Sequence, residues 1–580
     1  MAALRAARAW SPTQQRLIAL GVAMVLVWGG IGFRLFQVQV VHASEYSDRG
    51  LQQRLVEEEL SPTRGRIFDR NGDPLALTID GVTLYAVPEE LNDPTLVAQR
   101  IAQHTDVDVD DLRGRLSDAL AGDIGFVYLA RQLEPDVAAQ LMAYDMAGVY
   151  EVSEPKRMYP TGVVASQILG VSDIDGQGIE GLELVYDDIL TGVPGRIRYE
   201  RAENGTNIPQ RPMERVPAVP GDDLMTTLDT SLQFAAGEAC AEAVERTSAA
   251  SCWVVVMQPE TGEILAMAGA PSFDPELRIA LDGGPFSNSV VRDQYEPGST
   301  QKLITLAAAL ETDTVETNTV IPQVADRIEI NEGACDSPTD DIRGCYADIE
   351  KHETRDMTVQ EIFTISSNVG TIKIASRLPD GALDLFMRRF GFGQRTGVDF
   401  NGEAVGQITV DDTCSTCLAS AAIGYSVAVT PLQLAAAYGA IANDGVWVEP
   451  HLVAEVNGQP TDVDARRVVS ENTAWAMRQL LGMVVSEGTG TEARITGYQV
   501  GGKTGTSSKL TPEGTYSDDE NIASFVGMAP IDDPKVVVAV VVDSPAFEYR
   551  FGGLAAAPVF SEVMSAALQR MGVAPDVIAE

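Results

Sequence analysis

Basic side chains are scarce in this sequence, and their scarcity narrows the range of possible partners. The 580 residues include 42 lysine and arginine residues against 83 aspartate and glutamate residues, which gives a formal net charge of -41. So acidic a chain is repelled by a phosphate backbone, and we therefore expect no nucleic-acid partner. Hydrophobic residues make up 45% of the chain and charged residues 22%, proportions typical of a globular protein.

Histidine is rarer still, so few histidine side chains are available as metal ligands. The chain has four histidines, at positions 42, 104, 352 and 451. One Cys-x-x-Cys pair is present, but no second pair and no histidine stand at the spacing of a zinc site. We therefore expect no metal and no cofactor.

The six cysteines fit disulfide bonds in an oxidising compartment instead. We predict two local disulfides in polar loops, Cys335–Cys345 and Cys414–Cys417. Thiol exchange at the second pair is the alternative interpretation. Cys240 and Cys252 flank a short connection and are either paired or separately buried.

Long hydrophobic runs are absent except for one near the N-terminus. Residues 17–33 carry no polar or charged side chain, and with Leu35 and Phe36 the run is just long enough to cross a bilayer. Three arginines and no acidic residue precede it, which places the N-terminus in the cytoplasm. We predict a cytoplasmic tail at 1–16, a single transmembrane anchor at 17–37 and an extracytoplasmic remainder.

A cleaved signal peptide is the alternative interpretation of the same run. Val41-His42-Ala43 resembles a cleavage site. However, the apolar run is longer than the core of a usual signal peptide, and ten residues that include Arg34 separate it from that site. The uncleaved anchor is therefore the favoured interpretation.

The rest of the chain divides near residue 220. Residues 38–220 contain no cluster of catalytic side chains, and Pro217, Pro220 and Gly221 mark a boundary. Residues 221–575 begin and end with apolar segments that read as β-hairpins, and the span between them shows helical spacing, for example Ile362 to Ile372. We predict an α+β fold, in which an antiparallel sheet is flanked by helices and carries a helical subdomain.

Three short motifs supply the chemistry. They are Ser299-Thr300-Gln301-Lys302, Ser366-Ser367-Asn368 and Lys503-Thr504-Gly505-Thr506. Each is short enough to occur by chance, but together and in this order they indicate a serine acyl-transferase that uses lysine as a base. No G-x-S-x-G surrounds Ser299 and no histidine falls in a motif, so a Ser-His-Asp triad is unsupported.

The motif residues divide into a nucleophile, a base and a binding edge. Ser299 follows Pro-Gly and should begin a helix, and Lys302 then lies one turn on, where burial would lower its pKa and let it act as a base. Ser366 would relay a proton, and Asn368 would hold the substrate amide.

The third motif reads as an edge strand that binds the substrate. Lys503, Thr504 and Thr506 would bind a carboxylate, and Gly505 would let the substrate backbone lie close. The backbone N–H groups of Ser299 and Thr506 would form an oxyanion hole.

Residues 497–504 also match the phosphate-binding pattern G-x-x-x-x-G-K-T. That loop requires a helix directly after it, whereas Thr506-Ser507-Ser508 and a Pro-Gly turn region follow here. A nucleotide site is therefore not favoured.

Longer blocks around these motifs resemble class B penicillin-binding proteins, specifically their septal D,D-transpeptidases. The blocks span nearly the whole chain: residues 64–72, 159–162, 177–181, 295–299, 366–370, 429–434 and 502–506. The resemblance implies a non-catalytic pedestal domain of the dimerisation type at 38–220 and a penicillin-binding transpeptidase domain at 221–575. The stretch between Ser299 and Ser366 is longer than is usual in this family, and Cys335 and Cys345 fall inside the excess.

The same resemblance implies a substrate, an inhibitor class and a location. Ser299 would be acylated by a peptidoglycan stem peptide ending in D-Ala-D-Ala and trapped by β-lactams. A glycan polymerase and other division proteins would be partners, at the bacterial cytoplasmic membrane with the catalytic domain in the periplasm.

Three other activities fit parts of the pattern. A β-lactamase of class A would add Glu-x-x-x-Asn, which does not occur between Ser366 and Lys503. A D,D-carboxypeptidase, which uses water in place of an amine, and a non-catalytic β-lactam sensor or division scaffold remain alternatives.

Overall fold

The structure is a computed structural model. It describes residues 11–52, 55–122, 124–200, 214–275, 288–336, 344–410, 414–510 and 515–576. Residues 1–10 of the predicted cytoplasmic tail lie outside this set. The chain forms two compact units, one of residues 1–62 with 193–219 and one of residues 63–192 with 220–580.

The first unit contains the apolar helix, which runs over Pro12–Phe36. Ser11 caps it by accepting a hydrogen bond from the Gln14 amide, and Pro12 stands at its first position, where a missing N–H costs nothing. A π-helical turn, Gln37–Val41, and a helix, Ala43–Gln52, follow. Among the described residues, the apolar helix with its π-helical continuation, Pro12–Val41, is the one helix long and apolar enough to cross a membrane, and none of its apolar window is buried.

A three-stranded antiparallel sheet completes the first unit. Its strands, in spatial order, are Leu55–Leu60, Gly195–Glu200 and Glu214–Val216. The second strand pairs antiparallel with the first, and the third pairs antiparallel with the second.

In the second unit, residues 63–192 build a sheet around one long central strand, Pro74–Ala86. It pairs antiparallel with Val127–Leu133 on one side and with Val149–Met158 on the other. Helices Pro94–Ala102, Val109–Ala121 and Pro135–Met142 cover a core that includes Leu84, Ile101, Leu112 and Leu129. Shorter elements are Ile67–Phe68, Ser166–Leu169, Val171–Ser172, Gly178–Glu180, Gly181–Val185 and Asp187–Thr191.

A buried ion cluster holds the blocks of this region together. Glu183 is 0% exposed and accepts one hydrogen bond from Arg64 Nε and one from Arg157 Nε, each at 2.7 Å. A carboxylate so deeply buried requires paired charges of this kind. The cluster explains why charged residues occur in the sequence segments near residues 64 and 181, although the structure buries them.

Residues 220–576 are organised on a five-stranded antiparallel sheet. Its spatial order is Ile264–Ala270, Ser251–Met257, Val536–Asp543, Tyr516–Ala529 and Gly501–Leu510. Both predicted hairpins are confirmed, and the strand with the third motif lies at the edge as predicted.

Both faces of this sheet are buried, which accounts for its near-continuous apolar strands. Val254 and Val540 face one core, which they share with helices Thr230–Thr247 and Gly552–Arg570. Val255 and Val537 face the second core, which contains the helix Pro431–Ala442. Within the part of the chain that the structure describes, cis peptide bonds precede Pro271 and Pro530.

The span between the hairpins forms the helical subdomain that was predicted. Its helices are Ser289–Arg292, Lys302–Glu311, Val359–Thr364, Asn368–Ala375, Ala382–Arg389, Cys417–Ala422 and Glu471–Ser486. Short strands pair as Val320–Val324 with Arg355–Thr358, Arg327–Glu329 with Cys345–Ala347, Gln407–Ile408 with Val427–Ala428, and Val446–Val448 with Ala465–Arg467. Leu224–Thr226 pairs with Ile67–Phe68 and with Val453–Val456, which also pairs with Gln459–Pro460.

The helical spacing from Ile362 to Ile372 falls on two helices, Val359–Thr364 and Asn368–Ala375, with a break between them. The helix Val359–Thr364 ends, Ser366 takes a positive φ of 62°, and a new helix begins at Asn368. Ser367 caps the new helix by accepting a hydrogen bond from the Gly370 amide. Of the four apolar residues of this repeat, Ile362, Val369 and Ile372 are buried, whereas Ile365 at the break is 44% exposed.

Candidate active site

The Ser299 turn connects the helical layer to the edge of the sheet. Gly298–Gln301 forms a 3₁₀ turn that leads directly into the helix Lys302–Glu311, so Ser299 stands at a helix start as predicted. Gly298 has a φ of 53°, and a Cβ there would lie 2.6 Å from the Thr506 carbonyl oxygen. Only glycine therefore lets the backbone of this turn approach the edge strand so closely.

Lys302 lies beneath the turn with its ammonium group fully enclosed. Its Nζ donates to the Ser366 carbonyl oxygen at 2.6 Å and to Asn368 Oδ1 at 2.7 Å. It also lies 3.2 Å from Ser366 Oγ. The first two motifs therefore meet at one amine.

Ser366 lies between two lysines. Its Oγ accepts a hydrogen bond from Lys503 Nζ at 2.9 Å and lies 3.2 Å from Lys302 Nζ. The break in the helix creates this arrangement, because the positive φ of Ser366 turns its backbone between two helices. The hydroxyl group is thus placed to pass a proton between neighbouring groups.

Burial perturbs both lysines. It lowers the pKa of Lys302 well below that of a free lysine, and the nearby charge of Lys503 lowers it further, against the opposing effect of Asp348. Burial alone lowers the pKa of Lys503 to about 7. A pair of like charges held together away from water favours loss of one proton, which makes a lysine available as a base near neutral pH.

The edge strand Gly501–Leu510 carries the third motif past Ser299. A Cβ on Gly505 would lie 2.3 Å from Ser524 Oγ and 2.8 Å from the Pro297 carbonyl oxygen, so this position has no room for a side chain. Because the strand continues to Leu510 with no helix after Lys503, the phosphate-binding interpretation of residues 497–504 does not fit the structure.

These residues open onto one cleft of about 430 Å³. Predicted residues that line it are Ser299, Ser366, Asn368, Thr504 and Thr506. Lys302 and Lys503 lie below its floor, since both are fully buried. The structure thus brings all three motifs to one place.

Sequence reasoning missed two further walls of the cleft. Thr489 lies against the third motif, with its hydroxyl 2.7 Å from that of Thr504. Gly552 begins the C-terminal helix, and its amide donates to Thr506 Oγ1 at 3.2 Å. Two glycine patterns in the sequence could have indicated these walls: the Gly488-Thr489-Gly490-Thr491 repeat and the Gly552-Gly553 pair. Glycine permits a close approach between backbones, and each pattern lies at such an approach.

The structure joins the cysteines into three disulfides. They are Cys335–Cys345, Cys414–Cys417 and Cys240–Cys252, the last being the pair that the sequence left open. Cys240–Cys252 connects the helix Thr230–Thr247 to the first strand of the hairpin that follows it.

Fold and site together define the class of the protein as a serine acyl-transferase, and comparison with known proteins identifies the family. The penicillin binding protein transpeptidase domain matches residues 252–565, and the penicillin-binding protein dimerisation domain matches residues 59–226. The chain therefore belongs to the penicillin-binding proteins, and this pair of domains fits their class B.

Individual relatives match along most of their length. The probable peptidoglycan D,D-transpeptidase PenA of Neisseria meningitidis is 33% identical over 566 residues, which cover 96% of this chain and 92% of the relative. The peptidoglycan D,D-transpeptidase FtsI of Escherichia coli is 30% identical over 552 residues, which cover 94% and 90%. A crystal structure of penicillin-binding protein 3 from Mycobacterium tuberculosis, complexed with aztreonam, matches with a TM-score of 0.68 at 29% identity, covering 90% of this chain and 100% of that one.

Proposed function

We propose that this protein is a peptidoglycan D,D-transpeptidase that cross-links stem peptides through an acyl-enzyme on Ser299. The observation that carries the proposal is the position of Ser366 Oγ between two buried lysines, directly below a cleft lined by Ser299. A buried lysine of low pKa provides a base at neutral pH, and Ser299 is the nucleophile of its motif that such a base can activate. The relatives named as D,D-transpeptidases support the same activity.

In the first half-reaction, Ser299 would attack the carbonyl carbon between the two terminal D-Ala residues. Neutral Lys302 takes the proton from Ser299 Oγ as the C–O bond forms. The C–N bond then breaks, and the departing D-Ala amine receives a proton relayed through Ser366. The products are free D-Ala and an ester on Ser299.

In the second half-reaction, the amine of a neighbouring stem peptide replaces D-Ala. It attacks the ester carbon, its proton passes to the lysine–serine relay, and Ser299 Oγ leaves and recovers a proton. A peptide bond between two stem peptides results. Water in place of this amine would give a carboxypeptidase.

The edge strand would hold the substrate carboxylate and the developing oxyanion. Thr504 and Thr506 offer hydroxyl groups at the cleft wall, and Lys503 lies behind them. A bound carboxylate raises the pKa of a nearby lysine, so substrate would restore the positive charge that burial weakens on Lys503. The amides of Ser299 and Thr506 would stabilise the oxyanion.

The N-terminal helix would anchor this activity at the bacterial cytoplasmic membrane. Its length and exposed apolar side chains fit a single membrane crossing, and Arg5, Arg8 and Arg16 favour a cytoplasmic N-terminus. Residues 38–220 would then act as the pedestal of the catalytic domain at 221–575. Septal action, a glycan polymerase and other division proteins as partners are proposed from the resemblance to septal transpeptidases.

Covalent labelling tests the nucleophile. The full-length protein is incubated with a fluorescent penicillin and the modified peptide is identified by mass spectrometry. We expect labelling on Ser299, its complete loss in Ser299→Ala, and normal labelling in Ser376→Ala, whose hydroxyl donates to the Ile372 carbonyl one turn earlier. Labelling that persists in Ser299→Ala, or that maps to another residue, would reject the assignment.

A further inference from the structure

One short segment connects the disulfide loop to the catalytic cleft. The strand Cys345–Ala347 pairs with Arg327–Glu329 and is tied to Cys335 by a disulfide. Two residues further on, Ile349 and Glu350 line the cleft. Residues 345–350, here called the Cys345 segment, therefore run from the covalent tie to the cleft wall.

The segment fixes the amide of Asn368. The Ala347 carbonyl oxygen accepts a hydrogen bond from Asn368 Nδ2 at 2.8 Å. The other end of the same amide, Oδ1, accepts from Lys302 Nζ at 2.7 Å. Since a carbonyl can only accept, Ala347 determines which end of the amide faces the lysine.

Asp348 holds the residues on both sides of Asn368. Its carboxylate, which is 6% exposed, accepts from Ser367 Oγ at 2.7 Å and from the Val369 amide at 2.9 Å. His352 Nε2 lies 3.0 Å from the same carboxylate. Three partners thus satisfy a nearly buried charge, which fixes its position firmly.

We propose that Asp348 is a positioning residue for acylation: it holds the Ser366-Ser367-Asn368 turn in the orientation that aligns Lys302 and Ser366 beneath Ser299. Its carboxylate is nearly buried and does not line the cleft, so its hydrogen bonds act on the reacting residues through that turn. The inference rests on the proposed acyl-transfer function and adds a residue that lies outside all three motifs.

The charge of Asp348 has a second effect on the same amine. It raises the pKa of Lys302, while burial and Lys503 lower that pKa. The charged groups that bear on the cluster are thus Lys302, Lys503 and Asp348, with His352 bonded to the last. Removing the carboxylate charge lowers the pKa of Lys302 still further, an effect that a purely structural residue would not have.

The opposite side of the segment is fastened as well. The Tyr346 hydroxyl lies 2.6 Å from Ser420 Oγ, on the helix Cys417–Ala422 that the Cys414–Cys417 disulfide closes at its start. That helix leads to Ile423 and Tyr425, which also line the cleft. The Cys345 segment is therefore held between two disulfide-closed elements, as a positioning role requires.

The test separates β-lactam binding from acylation in single-turnover kinetics of the full-length protein. In Asp348→Asn we expect the acylation rate constant to fall about 10- to 100-fold, the loss typical of a small misplacement of catalytic groups. The dissociation constant of the initial complex should stay within about twofold, since Asp348 does not line the cleft. The acid limb of the pH–rate profile should move to lower pH.

Two further variants make the result specific. Ser367→Ala also removes the cap on the Gly370 amide, so it should cost acylation rate on its own. The double substitution should cost less than the sum of the two single ones, because both break the hydrogen bond between Ser367 and Asp348. Glu353→Gln removes the same charge from an exposed side chain nearby and should leave the rate unchanged. If Asp348→Asn proves unfolded, Asp348→Glu replaces it, and the same loss of acylation rate without loss of binding is required.

An unchanged acylation rate in folded Asp348→Asn would overturn the inference, and so would additive effects of the two substitutions or an equal loss in Glu353→Gln. Failure of the proposed function would look different. In that case the wild-type protein itself would not be acylated on Ser299, whatever stands at position 348.

Discussion

Replacing Lys302 with arginine tests whether this lysine acts by giving up its proton. An arginine remains charged at any pH at which the protein is folded, so it cannot take the proton of Ser299. General-base catalysis contributes about 10²- to 10⁴-fold to a rate, and Lys302→Arg should lose at least that much in acylation. A neutral base is already favoured in the native site, because burial and Lys503 lower the pKa of Lys302.

The geometry of the site adds a second cost. Lys302 is 0% exposed and its Nζ has acceptors at 2.6 and 2.7 Å, so a guanidinium group must displace Ser366 or Asn368. Overpacking of this kind destabilises a protein by about 1–3 kcal/mol, which thermal unfolding would detect. Lys302→Ala, which avoids the overpacking, should lose a similar factor in acylation.

The assay is the single-turnover rate of labelling by a fluorescent penicillin, measured against pH. Wild-type acylation should rise with pH through the lowered pKa of Lys302, and this limb should be absent in Lys302→Arg. Lys373→Arg is the matched control, since Lys373 also donates to a backbone carbonyl, that of Pro322 at 3.0 Å, but lies outside the cleft. Acylation of Lys302→Arg within about tenfold of wild type, below the contribution of a general base, would refute the reasoning.

Two other substitutions and one peptide-mapping measurement have defined outcomes. Gly505→Ala should destabilise the protein by about 1–3 kcal/mol and abolish penicillin labelling, because its Cβ would lie 2.3 Å from Ser524 Oγ; an unchanged melting temperature would contradict this. The hydrogen bond to Asp348 raises the pKa of His352 above its usual 6.5. The contact therefore contributes fully to the free energy of unfolding below pH 6.5, and this contribution is lost as the pH rises through the folded-state pKa of His352. Urea unfolding should therefore show a larger stability gap between wild type and His352→Gln at about pH 5.5 than at about pH 8.5, and a gap independent of pH would count against it. Peptide mapping without reductant should recover Cys335–Cys345 as a linked pair, whereas free thiols at both positions would exclude that disulfide.

The motifs and the sheet could be predicted because their signals are local. Apolar strands joined by turns predicted the hairpins, and the third motif predicted an edge strand whose glycine would let a substrate backbone lie close. The spacing of Lys302 from Ser299 follows directly from one helical turn. The family resemblance joined these local signals into one site.

The contacts that position the site could not be predicted, because they are distant in sequence. Asp348 bonds to Ser367 from 19 residues away, in a segment without helical or strand periodicity. The hydroxyl groups of Thr489 and Thr504 meet across 15 residues of sequence. The helix break at Ser366 could not be predicted, because a positive φ leaves no periodic signal in the sequence.

A reconstituted cross-linking reaction tests the central claim most directly. The full-length chain is combined with a glycan polymerase and lipid-linked peptidoglycan precursor, and the digested product is analysed for joined stem peptides. We predict cross-linked dimers that depend on Ser299, are absent with Ser299→Ala and are blocked by penicillin. Shortened, uncross-linked peptides alone would identify a carboxypeptidase, and neither product from a protein that still binds β-lactam would contradict the account in favour of a sensor or scaffold.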